Sequence, residues 1–524
     1  MKNIVHRLKE HAEQTPDKTA IILGKRTISY SMFFNDVCST ATNLQKRGFK
    51  RGDRILLLVP MSYDLYRILF AIFSIGATAV FVETWADRNL INEAISKSSP
   101  EGFIAIAKAH FLRALYPSVR KIPIKCIPPQ LCGRRKCSSR DFHIADIEKG
   151  TSALVTFTTG STGHSKAVKK THAYLMTQHA VISKYIRPDR DAVDLTTLPV
   201  FFLNNIGLGI TSVIPSPKLI TPNAFHADSL VEIIRNENVS TSVGAPAFFG
   251  KLADYLHENK QRTTLKTIYI GGAPVFPKLA SKLVKALPDT VIKVLYGSTE
   301  VLPISLADAR DVIHKTGDKG LFVGKPVKEA NVRILKTVAG PIQLKKGESI
   351  TPFLAEIGDP GEVIVKGIHV LTEYLNAPEL FALNKIVEND DIWHRTGDSG
   401  RIDENGNLYL LGKEDNKIQS PNGRIYPFVV EQAIIELQSI SYASCFQAED
   451  KVFIAIETSA KLSKALEGEI YDRVSRYGLS ESAVKIVAMQ HIPRDSRHNS
   501  KVNYQKLKDD LVTGRKKNVE KRIV

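Results

Sequence analysis

Apolar positions along the first hundred residues switch between two periods, and the switches mark the elements. Thr19, Ala20, Ile21, Ile22 and Leu23 form a largely apolar run of strand length. From residue 30 to residue 47, Phe33, Phe34, Val37, Ala41 and Leu44 recur at the three- and four-residue spacing of one helix face, and Gly48 ends the run. Residues 55–59 are apolar throughout, bounded by Arg54 and Pro60. Asp64 stands where it would cap a helix running to Gly76, and residues 79–82 are apolar again. Strand, helix and strand with short connections make a βαβ unit. Strands apolar at every position belong to a parallel sheet covered on both faces.

The alternation resumes with a strand over 153–157, a loop and a helical stretch over 172–185. It recurs as apolar segments at 239–243, 267–270 and 291–295. After about Leu321, short extended segments at 331–335, 361–365 and 407–410 lie between Gly, Pro and Asp turns. Beyond Gly412, a helix near 431–437 and a strand over 452–457 suggest a compact α/β piece. The pattern therefore predicts an α/β protein. Its large N-terminal domain, 1–411, would hold parallel βαβ sheets packed with helices plus a small β-subdomain. A small α/β C-terminal domain would span 412–510, with a basic tail at 511–524.

Composition agrees with a folded chain of several domains. The 524 residues are 43% hydrophobic and 24% charged, which excludes wholesale disorder. The first residues lack an apolar signal core, and the longest apolar run, 68–82, is too short to cross a bilayer, so neither secretion nor a membrane span is expected. Five cysteines, sparse and odd in number, fit free thiols in a cytoplasmic setting. Cys126, Cys132 and Cys137 cluster near His143 but match no zinc spacing.

Charge adds one further feature. The net charge is +18, and residues 102–140 carry nine Lys or Arg and no acid. Such a face attracts phosphates and acidic partners. Its three aromatics, Phe103, Phe111 and Tyr116, follow no stacking rhythm, so no nucleic-acid partner is expected. A solvated basic face is the plain account, and peripheral contact with anionic lipid or docking of an acidic carrier protein stays open beside it.

The densest chemistry is Thr158-Thr159-Gly160-Ser161-Thr162-Gly163-His164-Ser165-Lys166, directly after an apolar strand. Small residues let backbone N–H groups curl around a polyanion, the hydroxyls of Thr158, Thr159, Ser161 and Thr162 add donors, and Lys166 adds positive charge. It is not a Walker A loop, since Ser165 stands where that motif needs its second glycine and Ala167 follows the lysine.

This segment resembles the signature loop of the adenylate-forming enzymes: acyl-CoA synthetases, luciferases and adenylation domains of peptide synthetases. The resemblance runs along nearly the whole chain. Gly52-Asp53-Arg54-Ile55-Leu56-Leu57-Leu58-Val59-Pro60 is similar to the family's opening strand, and Gly271-Gly272-Ala273-Pro274 to its adenine-side loop. Tyr296-Gly297-Ser298-Thr299-Glu300 resembles the next core motif, in which the tyrosine stacks on adenine and the glutamate holds Mg²⁺. His394-Arg395-Thr396-Gly397-Asp398 resembles the motif whose aspartate grips the ribose hydroxyls, and Gly412-Lys413-Glu414-Asp415 the hinge motif, with Asp415 as pivot of a mobile C-terminal domain. On local grounds alone, Asp398 would be a turn residue, Glu300 a helix-start acid and Tyr296 core.

The resemblance implies ATP and Mg²⁺ as cofactors and attack of a carboxylate on the α-phosphate, giving acyl-AMP and pyrophosphate. Two anions must then be positioned and neutralised. Lys166, Glu300 and a second lysine, Lys501, would share that work. Lys501 lies in the segment Pro493-Arg494 to Ser500-Lys501-Val502, where Ser500 replaces the family's glycine, and a plain surface lysine remains the alternative. Gly244, Gly271 and Phe202 would face the acyl group, with Phe202 as an apolar gate or a core residue. Lys413 stands where arginine is usual, and Asn422 where CoA-using relatives carry glycine, which leaves the use of CoA undecided.

A narrower resemblance is carried by Arg497-His498-Asn499-Ser500-Lys501-Val502, Leu208-Gly209-Ile210-Thr211-Ser212-Val213-Ile214-Pro215 and Trp393-His394-Arg395-Thr396-Gly397-Asp398. These segments are similar to the β-lactone synthetases of bacterial olefin biosynthesis, which implies a long-chain 2-alkyl-3-hydroxy fatty acid closing on its own activated carbonyl. A fatty acyl-CoA or acyl-carrier-protein ligase, and a non-catalytic acyl- or nucleotide-binding relative, are the competing expectations. A carrier protein or another enzyme of a lipid pathway would be the partner.

Overall fold

The computed structural model describes residues 2–82, 88–132, 142–159, 165–220, 224–421, 423–495 and 499–512. The first sheet has six strands, in the order Ile124–Cys126, Gly102–Ala105, Arg54–Leu58, Thr78–Phe81, Ser152–Thr159 and Ser165–Thr171. All neighbours are parallel except the last pair, which closes as a hairpin. Strand Arg54–Leu58 shows why its residues are apolar without alternation. Ile55 and Leu57 enter one core cluster and Leu56 and Leu58 another, so each face of the sheet is covered.

Helices Tyr30–Lys46 and Tyr63–Ser74 cover the first of these faces. The cap of the second helix is Ser62, whose hydroxyl accepts from Leu65 N, and not Asp64. A cap must precede the first helical residue with extended φ and ψ. Asp64 already lies in the first turn, where it pairs with Arg67 at 2.8 Å.

The second sheet is larger. Parallel strands Thr19–Leu23, Thr211–Val213, Val193–Thr196, Thr241–Gly244, Thr267–Gly271 and Val291–Tyr296 lie side by side. Two antiparallel strands, Ser305–Asp308 and Leu321–Pro326, continue this ladder into the β-rich segment. That segment comprises Leu408–Lys413, Asp391–Ile402, Gly361–Lys366 and Asn331–Leu335.

After Gly412 come helix Pro427–Ile435 and a three-stranded sheet of Ile440–Ala448, Lys451–Thr458 and Val484–Met489. Val430, Ile434 and Ile454 share a core cluster with Val239 and Leu252 of the large body. Lys278 donates to the carbonyls of Leu437 at 2.9 Å and Ile440 at 2.6 Å, supplying positive charge where the helix leaves carbonyls unpaired. Cys38, Cys126, Cys132 and Cys445 are free thiols, and Cys137 lies outside the described residues. Among the described residues, no helix is long and apolar enough to cross a membrane.

Candidate active site

The hairpin that carries the Thr/Ser/Gly segment pairs Thr158 with Lys166 and Thr159 with Ser165. Gly160, Ser161, Thr162 and Gly163 lie outside the described residues. Lys166 is thus not in the loop but at the start of the returning strand. Its ammonium donates to Asn384 Oδ1 at 2.9 Å, and burial lowers its pKa against the pull of Glu300.

Glu300 is 7% exposed. Tyr374 donates its hydroxyl to Oε1 at 3.2 Å, and His394 Nε2 stands 4.0 Å from Oε2. The backbone carbonyl accepts from Leu371 N at 2.7 Å and from the Tyr174 hydroxyl at 3.3 Å. Burial pushes the carboxyl up, but His394, Lys166 and Lys385 outweigh it and hold the pKa at about 2. Burial in turn lowers His394 to about 3, so at neutral pH the counter-charge rests with Lys166 and the protonated fraction of Lys385. Lys385 is 2% exposed, with its ammonium bonded to the Leu371 carbonyl and 5.6 Å from the Tyr374 ring centroid. Burial brings it down to about 7.

A second group assembles around Asp398. Tyr296 donates its hydroxyl to Oδ2 at 2.9 Å, and Lys413 Nζ lies 2.6 Å from Oδ1. Asp398 and Lys413 face each other across neighbouring antiparallel strands. The Gly397-Asp398-Ser399-Gly400 run, turn-like in sequence, lies inside the strand Asp391–Ile402. The turn signal is real but local: Gly397 has φ +68°, and the register shifts between Ser399 and Gly400 as a bulge. Arg395 braces this stretch, donating to Glu362 through Nε at 2.8 Å and pairing through Nη2 at 2.6 Å. The other Glu362 oxygen accepts from Gly397 N at 3.2 Å.

Gly244, Gly271 and Tyr296 end three adjacent parallel strands, and the turn Gly297-Ser298-Thr299 carries the chain from Tyr296 to Glu300. Ligands of open α/β sheets sit at such carboxyl edges. A Cβ on Gly271 would stand 2.7 Å from the Leu295 carbonyl oxygen, so the close approach of these strands requires glycine there. Gly272, with φ +89°, then turns the chain into Ala273 and Pro274.

Phe202 does not lie on this edge. It is fully buried, stacked on Tyr66 at 3.7 Å and edge-on to Phe33 and Phe70, which makes it a core residue rather than a gate. Its neighbour Phe201 instead packs with Val243, Tyr269 and Leu295 of the strand ends.

Asp415 sits in the turn Glu414–Asn416 directly after Lys413, close enough to Lys166 for its charge to oppose the lowering of that lysine's pKa by burial. Gly412, at φ +132°, lies against the Pro427 ring. The Lys501 loop is closed by a backbone bond from Asp495 N to Lys501 O at 2.8 Å and by Lys501 N donating to the Asp495 carboxylate Oδ1 at 2.7 Å. Arg494 anchors it to Glu457 at 2.8 Å. Lys501 is exposed, and the Ser500 hydroxyl accepts from Ala247 N at 3.2 Å, seating the loop on the start of helix Pro246–Glu258. Asn422 lies outside the described residues.

The structure thus gathers Lys166 with Glu300, and Tyr296 with Asp398 and Lys413. Sequence reasoning missed Tyr174, Tyr374, Asn384 and Lys385, and assigned His394 no role. The available signal was Lys385 itself, one charge in the stretch Leu383-Asn384-Lys385-Ile386-Val387. Among the described residues no group of three His, Cys, Asp or Glu could jointly hold a metal ion.

The sequence model of the AMP-binding enzyme family matches residues 8–375. The olefin β-lactone synthetase of Stenotrophomonas maltophilia is 26% identical over 96% of this chain and 97% of its own. A 2-succinylbenzoate–CoA ligase of Bacillus licheniformis is 26% identical over 85% of this chain and 87% of its own. In fold, O-succinylbenzoate coenzyme A synthetase from Bacillus subtilis, solved with ATP and magnesium ion, aligns with a TM-score of 0.77 at 19% identity, covering 96% of this chain and 99% of its own. ATP-bound MatB from Rhodopseudomonas palustris aligns at 0.79 and 18% identity over 97% and 99% of the two chains. With the family match spanning most of its length, the chain belongs to the AMP-binding enzyme family and is an ATP-dependent, acyl-adenylate-forming enzyme.

Proposed function

We propose that this enzyme activates a long-chain 2-alkyl-3-hydroxy fatty acid as its acyl-adenylate and closes it to a β-lactone. The observation that carries the substrate class is the likeness to olefin β-lactone synthetases along 96% of the chain. In the first step a carboxylate oxygen bonds to the α-phosphorus of ATP and pyrophosphate leaves. In the second, the 3-hydroxyl oxygen bonds to the acyl carbon, AMP leaves, and the hydroxyl proton passes to solvent. An intramolecular nucleophile gains effective concentration that partly offsets the strain of a four-membered ring.

In this account Lys166 and Lys501 neutralise phosphate charge, and Tyr296 and the loop 271–274 face the adenine. Asp398 accepts from the ribose hydroxyls in place of its present partners Tyr296 and Lys413. Gly244, Gly271 and Phe201 border the acyl group, and Asp415 is the pivot between a body of 1–411 and a piece of 412–510. Glu300 fits Mg²⁺: it is an ionised oxygen donor beside the lysine meant for phosphate, and Mg²⁺ commonly takes one or two carboxylates plus substrate phosphates. When bound, the ion would draw charge from the phosphates as pyrophosphate departs.

A thioester ligase is the second reading, favoured by the likeness to a 2-succinylbenzoate–CoA ligase over 85% of the chain. Mass spectrometry of the product from Mg-ATP and the hydroxy acid, with and without CoA, separates the two. A product one water lighter than the acid and formed without CoA supports the lactone. A thioester formed only with CoA replaces it.

A further inference from the structure

Away from the active site, one surface joins exposed apolar side chains to unbroken positive charge. Between strands Gly102–Ala105 and Ile124–Cys126 the chain makes three short helical turns, Ala107–Phe111, Leu112–Leu115 and Pro117–Lys121. Ala109, Leu112 and Tyr116 pack inward on the cluster that holds Leu58, Val82, Phe103 and Ala167. The opposite side presents Phe111, 75% exposed, and Leu115, 64% exposed, four residues apart. Lys108, Arg113, Arg120 and Lys121 are exposed in the same turns, and no acid occurs anywhere in 102–140.

We propose that this surface seats the enzyme on anionic phospholipid membrane, with Phe111 and Leu115 inserted below the headgroups and the surrounding Lys and Arg on the phosphates. A solvated basic face accounts for the charge but not for a phenylalanine and a leucine turned outward while their neighbours pack inward. An aromatic and an aliphatic side chain rimmed by basic residues is the composition of an interfacial anchor, in which apolar insertion and headgroup attraction act together. A bilayer satisfies both. An acidic protein partner would answer the charge first.

The position in the fold gives the contact a use. Strands Gly102–Ala105, Arg54–Leu58, Thr78–Phe81 and Ser152–Thr159 are parallel neighbours in that order. The patch therefore leaves the sheet at the same edge as the hairpin leading to Lys166, three strands away, about 14 Å at ordinary strand spacing. A membrane under the patch would lie beside the active-site edge of this sheet, where an acid poorly soluble in water would be delivered. That use rests on the proposed long-chain substrate; the binding itself does not.

The test is co-sedimentation of the full chain with phosphatidylcholine vesicles containing about a third phosphatidylglycerol, and with phosphatidylcholine alone, at low and high salt. Binding is expected to anionic vesicles, weakened severalfold by high salt. The double variant Phe111→Ser with Leu115→Ser should bind at least tenfold more weakly, while its ATP–pyrophosphate exchange with a water-soluble acid stays at the wild-type rate. Background binding of the wild-type chain, or equal binding by the double variant, overturns the proposal. So does capture of an acidic carrier protein through this face without vesicle binding. Any of these with exchange intact leaves the proposed reaction standing.

Discussion

Replacing Glu362 with Gln tests whether the Arg395 brace holds the Asp398 strand in place. Glu362 is buried and Arg395 largely so, and the carboxylate takes two contacts from the guanidinium, at 2.8 and 2.6 Å, and one from Gly397 N at 3.2 Å. Burial pushes the Glu362 carboxyl up, and Arg395 only partly offsets it, so the pair is no large source of stability. The cost of the substitution is the orphaned guanidinium, which would face an amide that can present donor to donor. Breaking a buried pair this way costs about 3–5 kcal/mol. Arg395 keeps two carbonyl partners, Gly340 at 2.6 Å and Val338 at 3.1 Å, which argues for the lower end, about 3 kcal/mol. Thermal unfolding should start several degrees lower, and ATP affinity from equilibrium dialysis should fall by up to about a hundredfold. Pairing Glu362→Met with Arg395→Met should recover the stability but not the affinity. A Glu362→Gln protein with wild-type melting and wild-type ATP affinity would refute the brace.

Other substitutions probe separate parts of the account. Burial holds the Glu431 carboxyl at about 7, against an ordinary 4.5, despite a hydrogen bond from Cys445 N at 2.9 Å. The folded state therefore keeps a proton that the unfolded state has lost between these values, and stability falls as pH rises through that window. Glu431→Gln should stabilise the protein by up to about 3 kcal/mol at pH 8 and hardly at all near pH 4.5, read as the difference in melting at the two values. Ser500→Gly removes the acceptor for Ala247 N and should slow pyrophosphate exchange about fivefold, the worth of one hydrogen bond near 1 kcal/mol, whereas Ser500→Thr should retain it. Lys385→Met deletes a lysine facing Glu300 that is charged below about pH 7, and at pH 6 it should lower exchange on the order of tenfold without loss of folding, checked by circular dichroism beside the kinetics.

Seven of the parallel strands in the first two sheets were readable because burial on both faces leaves an apolar run, as at Ile55 to Leu58, where alternate residues serve different clusters, whereas Gly102–Ala105, Ile124–Cys126, Val193–Thr196 and Thr211–Val213 are too short to stand out. The strand Ser165–Thr171 was not, since its sequence Ser-Lys-Ala-Val-Lys-Lys-Thr offers only Ala167 and Val168 as apolar positions. Its place is set by backbone pairing with Ser152–Thr159, which local pattern does not encode. Strand Asp391–Ile402 was hidden by glycines that serve a bulge rather than a turn. Phe201 and Phe202 are adjacent on one helix and point about 100° apart, so choosing between them required the helix to be placed. Lys385 gains its environment from Glu300, distant in sequence, and a buried charge has no linear signature.

The most direct measurement is ATP–pyrophosphate exchange by the purified chain with Mg²⁺ and a long-chain 2-alkyl-3-hydroxy acid, beside Asp398→Ala. The account predicts exchange that requires the acid and falls to near background in the variant. Exchange at background with this acid and every other acid tried, in a protein that melts cooperatively, would contradict it.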